Sequence, residues 1–195
     1  MEMFYTIQGE GYNAGKAAYF IRLAGCDVGC VWCDVKESWK IADNQWVSIE
    51  SIIEKIKKES LGCKNVVVTG GEPLMHNLDP FCVELQKEGF KTWIETSGAY
   101  PLSGKWDWIC VSPKKFKAPL PALLAAADEL KVVVFNKTDF DWAEKNAADL
   151  KLNCKKYLQV EWGKKEQLND LIVSYVKQNP GWQISLQTHK YLNIP

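Results

Sequence analysis

Short apolar runs alternate with amphipathic stretches along most of this chain, and that alternation narrows the possible folds more than any other feature. Runs at residues 17–23, 66–68, 92–94, 108–111, 130–135, 157–161 and 183–186 are too short for helices and rich in bulky or β-branched residues, so they read as buried strands. Between them, Ile49, Ile52, Ile53 and Ile56 fall on one helical face after Ser48, a good cap, and Gly62 lies beyond the end. Asp79-Pro80 opens a second helix that stops before Gly89, and further helices are expected at 120–127, 139–150 and 166–177. Parallel strands need a crossover between each pair, and a helix in each gap supplies it. The pattern predicts an α/β chain with about six to seven mostly parallel strands, most simply a compact partial (β/α) barrel. An open doubly wound sheet fits the same pattern.

Length and charge restrict this further. The 195 residues suit one domain, 1–195, and no linker or repeat divides them. Lys and Arg total 24 against 24 Asp and Glu, so the electrostatic footprint of a nucleic-acid binder is missing. No run approaches the roughly 18 apolar residues of a membrane span, and the first residues lack a basic region followed by an apolar run. The expectation is a cytoplasmic protein with no nucleic-acid or membrane partner. In a reducing compartment its seven cysteines read as thiols or metal ligands.

Parallel α/β folds gather functional groups beyond the C-terminal ends of their strands. Four polar segments occupy such positions: residues 26–33, 69–73, 95–98 and 112–115. The first holds Cys26, Cys30 and Cys33 in a C-x3-C-x2-C array, with Gly25 and Gly29 allowing the backbone to curl. A structural zinc site takes four protein ligands, and no fourth cysteine or histidine is near in sequence. An iron–sulfur cubane on three thiolates would keep one iron open for a small molecule. A zinc site closed by a distant residue remains the competing reading. Cys63, Cys82, Cys110 and Cys154 have no such spacing and read as buried thiols.

The triplet after the first strand, together with Gly70-Gly71-Glu72-Pro73 after the second, resembles the radical S-adenosylmethionine (SAM) superfamily. The resemblance extends to residues 4–11, Arg22, 68–73, 95–98, 112–114 and 185–195, which are similar to the 7-carboxy-7-deazaguanine synthase family within it. It implies a partial barrel of the radical SAM type and a homodimer in queuosine and 7-deazapurine biosynthesis. The cofactors implied are a 4Fe-4S cluster and SAM, with a reductant such as flavodoxin or ferredoxin. The reaction implied is conversion of 6-carboxy-5,6,7,8-tetrahydropterin to 7-carboxy-7-deazaguanine by hydrogen abstraction, ring contraction and loss of ammonia.

Carried over residue by residue, the resemblance assigns Cys26, Cys30 and Cys33 to the cluster and Trp32 to the neighbourhood of the adenine. Gly70, Gly71 and Glu72 are assigned to the methionine amino group. By position rather than by resemblance, Ser97 and Ser112 past strand ends, Lys114 after Ser112-Pro113, and Gln159 on the strand at 157–161 are candidates for further SAM contacts. Arg22, in an otherwise apolar strand, is suited to the pterin carboxylate. Gln8, Glu10, Thr69, His189 and the Pro195 carboxylate complete the expected substrate pocket. Many members carry a magnesium-binding threonine after the Cys-Asp pair, whereas Cys33-Asp34 is followed here by Val35. Magnesium would then depend on substrate, water and Asp34. The nearest alternative functions are a glycyl-radical-enzyme activase, which the polar N-terminal segment and the Gln187-Thr188-His189-Lys190 tail oppose, and a noncatalytic zinc or iron–sulfur module.

Overall fold

Eight strands form one sheet in chain order in the computed structural model, which describes residues 1–42 and 46–195. β1 (Glu2–Ile7) pairs antiparallel with β2 (Ala17–Leu23). β3 (Asn65–Gly70), β4 (Lys91–Thr96), β5 (Trp108–Val111), β6 (Glu129–Val134), β7 (Lys155–Val160) and β8 (Gln183–Ile184) then follow, each parallel to the last. The crossovers carry α1 (Ile49–Glu59), α2 (Asp79–Lys87), α3 (Pro121–Ala126), α4 (Thr138–Ala147) and α5 (Lys165–Gln178), and α6 (Thr188–Leu192) follows β8. Ser48 caps α1 by accepting a bond from the Ser51 amide, 3.2 Å.

Adding each strand beside the previous one, through crossovers of one hand, puts the helices on one face and curls the sheet into a partial barrel. Side chains alternate across each strand. One set, including Ile21, Val66, Val68, Ile94, Val111, Leu130, Val132 and Leu158, packs against Ile52, Ile56, Phe81, Leu85, Leu123 and Ile172 of the helices. The other set faces the concave interior. There Ala18, Val67 and Trp93, with Phe20 and Trp108, make a small apolar floor. Arg22, Thr69, Glu95, Lys131 and Gln159, which share strand faces with these floor residues or with one another by register, give the interior a polar upper part.

The seven strands expected from sequence are present within a few residues. The eighth, β1, was not anticipated: its half-buried residues satisfy their backbone by pairing with β2, and nothing local announces that partner. α6 was also unmarked, being five residues long.

The sheet's open side, between β1 and β8, is bridged by polar bonds. A turn after β1 is closed by Gln8 N–H to Lys16 O and Gly15 N–H to Gln8 O, both 2.8 Å. From it the Gly11 amide donates to Ser185 Oγ (2.9 Å), which donates onward to Gln159 Oε1 (2.7 Å). Gln187 Nε2 donates to Glu10 Oε1 (2.9 Å), and the Thr188 amide to Gly9 O (2.9 Å). Among the described residues no helix is long and apolar enough to cross a membrane.

Candidate active site

The cysteine loop leaves the C-terminal end of β2 and is held from three sides. Its backbone bonds to the short helical turn Lys36–Trp39: Gly25 N–H donates to Ser38 O (2.7 Å) and Cys26 N–H to Trp39 O (3.2 Å). The end of β3 presses on it from the other side, with Gly71 N–H donating to Leu23 O (2.9 Å) and Glu72 N–H to Gly25 O (2.8 Å). A Cβ on Gly70 would lie 2.2 Å from Leu23 O, and one on Gly71 2.3 Å from Gly25 O. The double glycine is therefore required by this backbone contact, in addition to any ligand. His76 Nε2 lies 2.8 Å from Ala24 O, and Asp27 accepts bonds from Tyr100 Oη (2.6 Å) and Lys117 Nζ (2.9 Å).

Cys26, Cys30 and Cys33 open onto a cleft of about 980 Å³, continuous with solvent. Trp32, Gly70, Gly71, Ser97, Ser112, Lys114 and Gln159 line it too, so most of the cofactor positions expected from sequence are brought together. Lys114 Nζ donates to Ser112 Oγ (2.6 Å) and stands 5.2 Å from the centre of the Trp32 ring. Burial lowers the Lys114 pKa, with the nearby Cys30 working against that shift.

Glu72 is placed differently. It is 1% exposed and lies behind the cleft wall. Oε1 accepts from the Leu74 amide (3.0 Å) and Thr96 Oγ1 (2.5 Å), and Oε2 from the Ser97 amide (2.8 Å) and Ser97 Oγ (2.5 Å). With both oxygens engaged, its carboxylate ties the β3 and β4 ends together.

A second cleft of about 600 Å³ is lined by Gln8, Glu10, Arg22, Thr69, His189 and Pro195, all six positions expected for substrate. Glu10, Asp34 and Thr69 line both clefts and mark where they meet. Arg22 uses Nε on Glu2 (2.9 Å) and packs over the Phe4 ring, 5.7 Å away, leaving its two Nη nitrogens for another carboxylate. His189 packs on Gly9, where a Cβ would lie 2.2 Å from Nδ1, and burial lowers its pKa. Thr6 Oγ1 donates to Pro195 O (3.3 Å). Val35 lines this cleft without an oxygen ligand, and Asp34 pairs with Lys190 at 3.3 Å.

The sequence pattern described as the Radical SAM superfamily matches residues 20–116. The 7-carboxy-7-deazaguanine synthase of Flavobacterium psychrophilum is 54% identical over 195 residues, covering all of this chain and 91% of that protein. That of Synechocystis sp. is 46% identical, covering 99% and 91%. The chain belongs to the 7-carboxy-7-deazaguanine synthase family. The crystal structure of QueE from Escherichia coli agrees in fold, with a TM-score of 0.85 and 32% identity across 95% of this chain and 91% of that one.

The radical SAM cluster of the family can be tested against these residues. The three thiols line one cleft. Burial first, then the charges of Glu72 and Cys33, raises the Cys26 pKa, and burial, followed by Cys33 and Cys26, raises that of Cys30 against the pull of Lys114. Cys33 Sγ accepts a bond from Trp39 Nε1, 3.3 Å. Among the described residues no three His, Cys, Asp or Glu side chains close on a single metal ion. A cubane does not require that closeness, because each thiolate takes a different iron. Three thiols lining one open cleft fit the cluster.

The residue that sequence reasoning missed is Lys131. It is 4% exposed on β6, lines the larger cleft and pairs with Glu10 (2.5 Å) and Glu95 (2.9 Å). Gln8 Nε2 donates to Glu95 Oε1 (3.1 Å), completing a Gln8–Glu95–Lys131–Glu10 network. Burial opposes the Glu10 charge, but attraction and hydrogen bonding from Lys131, with Gln187, hold its pKa down at about 2. Burial likewise opposes charge on Lys131, and Glu10 and Glu95 overcome it, raising its pKa well above the usual range. An ammonium inside the apolar run of β6 was the available signal. Of the remaining cysteines, Cys82 and Cys110 are buried, while Cys63 and Cys154 are half-buried and bond to the carbonyls of Ala17 and Lys155.

Proposed function

We propose that this chain acts as a single domain, residues 1–195, in the cytoplasm, as a radical SAM carbon–nitrogen lyase that converts 6-carboxy-5,6,7,8-tetrahydropterin to 7-carboxy-7-deazaguanine in queuosine biosynthesis. The observation that carries the reading is the meeting of two clefts: the cysteine-lined one holds all three candidate cluster ligands, and the adjoining one holds all six candidate substrate residues. When bound, the reduced 4Fe-4S cluster and SAM supply the radical that abstracts a substrate hydrogen.

The protein's own residues bind and orient. Cys26, Cys30 and Cys33 hold the cluster. The carbonyls near Gly70 and Gly71 receive the SAM ammonium, and Ser97, Ser112, Lys114 and Gln159 offer polar contacts around the rest of it. Arg22 takes the pterin carboxylate through its Nη pair, while Gln8, Glu10 and Thr69 accept from or donate to the ring edge. Glu10 stays ionised at any working pH because Lys131 faces it, so it is always an acceptor there. His189 and Pro195 close the far side of that cleft. Electrons come from a flavodoxin- or ferredoxin-type reductant, and the working unit is a homodimer.

Val35 removes the oxygen that would hold magnesium, and the carboxylate of Asp34 is partly neutralised by Lys190. Magnesium then contributes little. Anaerobic turnover of the carboxytetrahydropterin, following product and 5'-deoxyadenosine together, tests the whole reading. Because loss of ammonia leaves the oxidation level unchanged, the abstracted hydrogen is returned and product is expected in clear excess over 5'-deoxyadenosine, with less than about threefold stimulation by magnesium, and a larger stimulation in Val35→Thr. SAM cleavage without pterin turnover would remove the substrate assignment, and strong magnesium dependence in the unaltered chain would remove the magnesium argument.

A further inference from the structure

Below the Lys131 network lies a carboxyl that the reaction as described leaves unused. Glu129, 2% exposed at the start of β6, points toward the barrel interior. Its Oε2 accepts from the Tyr12 amide (3.2 Å) and from Trp108 Nε1 (3.0 Å), and Tyr12 stacks on Trp108 with ring centres 4.6 Å apart. Among the described residues, its Oε1 is the one buried side-chain oxygen or nitrogen without a hydrogen-bond partner. Gly11 sits directly on that oxygen: a Cβ there would be 1.9 Å away, and its φ of +66° independently favours glycine.

The turn seated on this carboxyl is the one that presents Gln8 and Glu10. A bare, unpartnered anionic oxygen against the Gly11 backbone is costly, whereas a neutral acid is cheaper. Charge counting agrees. Glu10, Glu95 and Glu129 all face the Lys131 ammonium, and its two ion pairs go to the first two. Facing Glu129 are Glu95 from β4, Cys110 from β5, Lys131 from β6 itself, Cys154 and Tyr157 from the β7 side, and Tyr12 from the turn. Lys16 lies over the rings of Tyr12 and Trp93, not on the carboxyl.

We infer that Glu129 is a positioning residue for substrate binding: in its protonated form it seats the Gly11–Tyr12 backbone and so fixes Gln8 and Glu10, and its ionisation loosens that seat. The inference rests on the reading that Gln8 and Glu10 hold the pterin. Burial first, and then Glu95, raises the Glu129 pKa to about 7, so the change falls within a measurable range.

The test is KM for the carboxytetrahydropterin and kcat, each measured from pH 6 to 8.5 in the reconstituted enzyme. In the unaltered chain KM rises as pH passes about 7, while kcat changes little. The seated fraction falls as Glu129 ionises, so at pH 8 Glu129→Gln, which cannot ionise, has a KM severalfold lower than the unaltered chain. Glu129→Ala, which loses the seat, has a raised KM at every pH, and Gly11→Ala behaves similarly. Thermal unfolding without substrate gives an independent readout: Glu129→Gln gains stability over the unaltered chain as pH rises from 4.5 to 8. Superimposable KM and unfolding profiles for Glu129→Gln and the unaltered chain would overturn the inference. Glu10→Gln separates the two failures, since a normal pterin KM in that variant would remove the substrate reading on which the inference stands.

Discussion

Lys131 shows how much one side chain can decide. Two carboxylates and an ammonium are withdrawn from water here, and such an arrangement holds only while the charges face one another. Lys131→Met keeps the volume and removes the charge, leaving the half-buried Glu10 and Glu95 without their ion pair, at a cost below the roughly 3–5 kcal/mol of a fully buried pair. Denaturant unfolding measures this, and adding Glu10→Gln to Lys131→Met is expected to return part of the loss, because one orphaned charge disappears with it. An unchanged midpoint in Lys131→Met would mean that water already screens the network. The residue was legible in principle by the reasoning that singled out Arg22, a cation within an apolar strand. The difference is that Arg22 stood beside the cysteine loop in sequence, while the partners of Lys131, Glu10 and Glu95, lie 121 and 36 residues away.

Elements position the site through contacts between strand ends. The end of β3 lies so close to the cysteine loop that Gly71 has no room for a side chain, with Gly25 O and Cys26 Cβ both inside 3 Å of where it would sit. Gly71→Ala must push the loop away from β3 and break the Gly71–Leu23 and Glu72–Gly25 backbone bonds. Iron per chain after anaerobic reconstitution is expected to fall severalfold, with unfolding made easier by roughly 1–3 kcal/mol, as overpacking does. Full iron loading in that variant would show that the loop tolerates the shift.

The same contact explains an asymmetry in what could be read beforehand. Cys26, Cys30 and Cys33, the double glycine and the seven parallel strands were legible because spacing and apolar runs are local properties. Glu72 was legible as a motif member, but its burial behind Thr96 and Ser97 was not, because that depends on where β4 ends beside β3. β1 escaped for a similar reason, since its partner β2 supplies the backbone bonds that define it.

At the scale of the molecule, the barrel is an open sheet closed by side chains. Glu10 is central to that closure, since it accepts from Gln187 beyond β8 and from Lys131 of β6 while belonging to the turn after β1. Its pKa falls from 4.5 in the unfolded chain to about 2 in the fold, so the folded state binds fewer protons between those values. The sign follows: the stabilisation is fully present above about pH 4.5 and is lost as pH falls through 2, with a size of about 3 kcal/mol. The difference in unfolding free energy between the unaltered chain and Glu10→Gln should shrink by that amount on acidification. The loss also has a location. Protonating Glu10 weakens the seam between β1 and β8, whereas the helix-packed face of Val66, Leu130 and Leu158 is apolar and indifferent to pH. Hydrogen exchange in acid is therefore expected to release the Gly11 and Thr188 amides, which bond across the seam, well before those of β3 and β6. Simultaneous release of all of them would mean that the seam and the helix-packed core open as one unit.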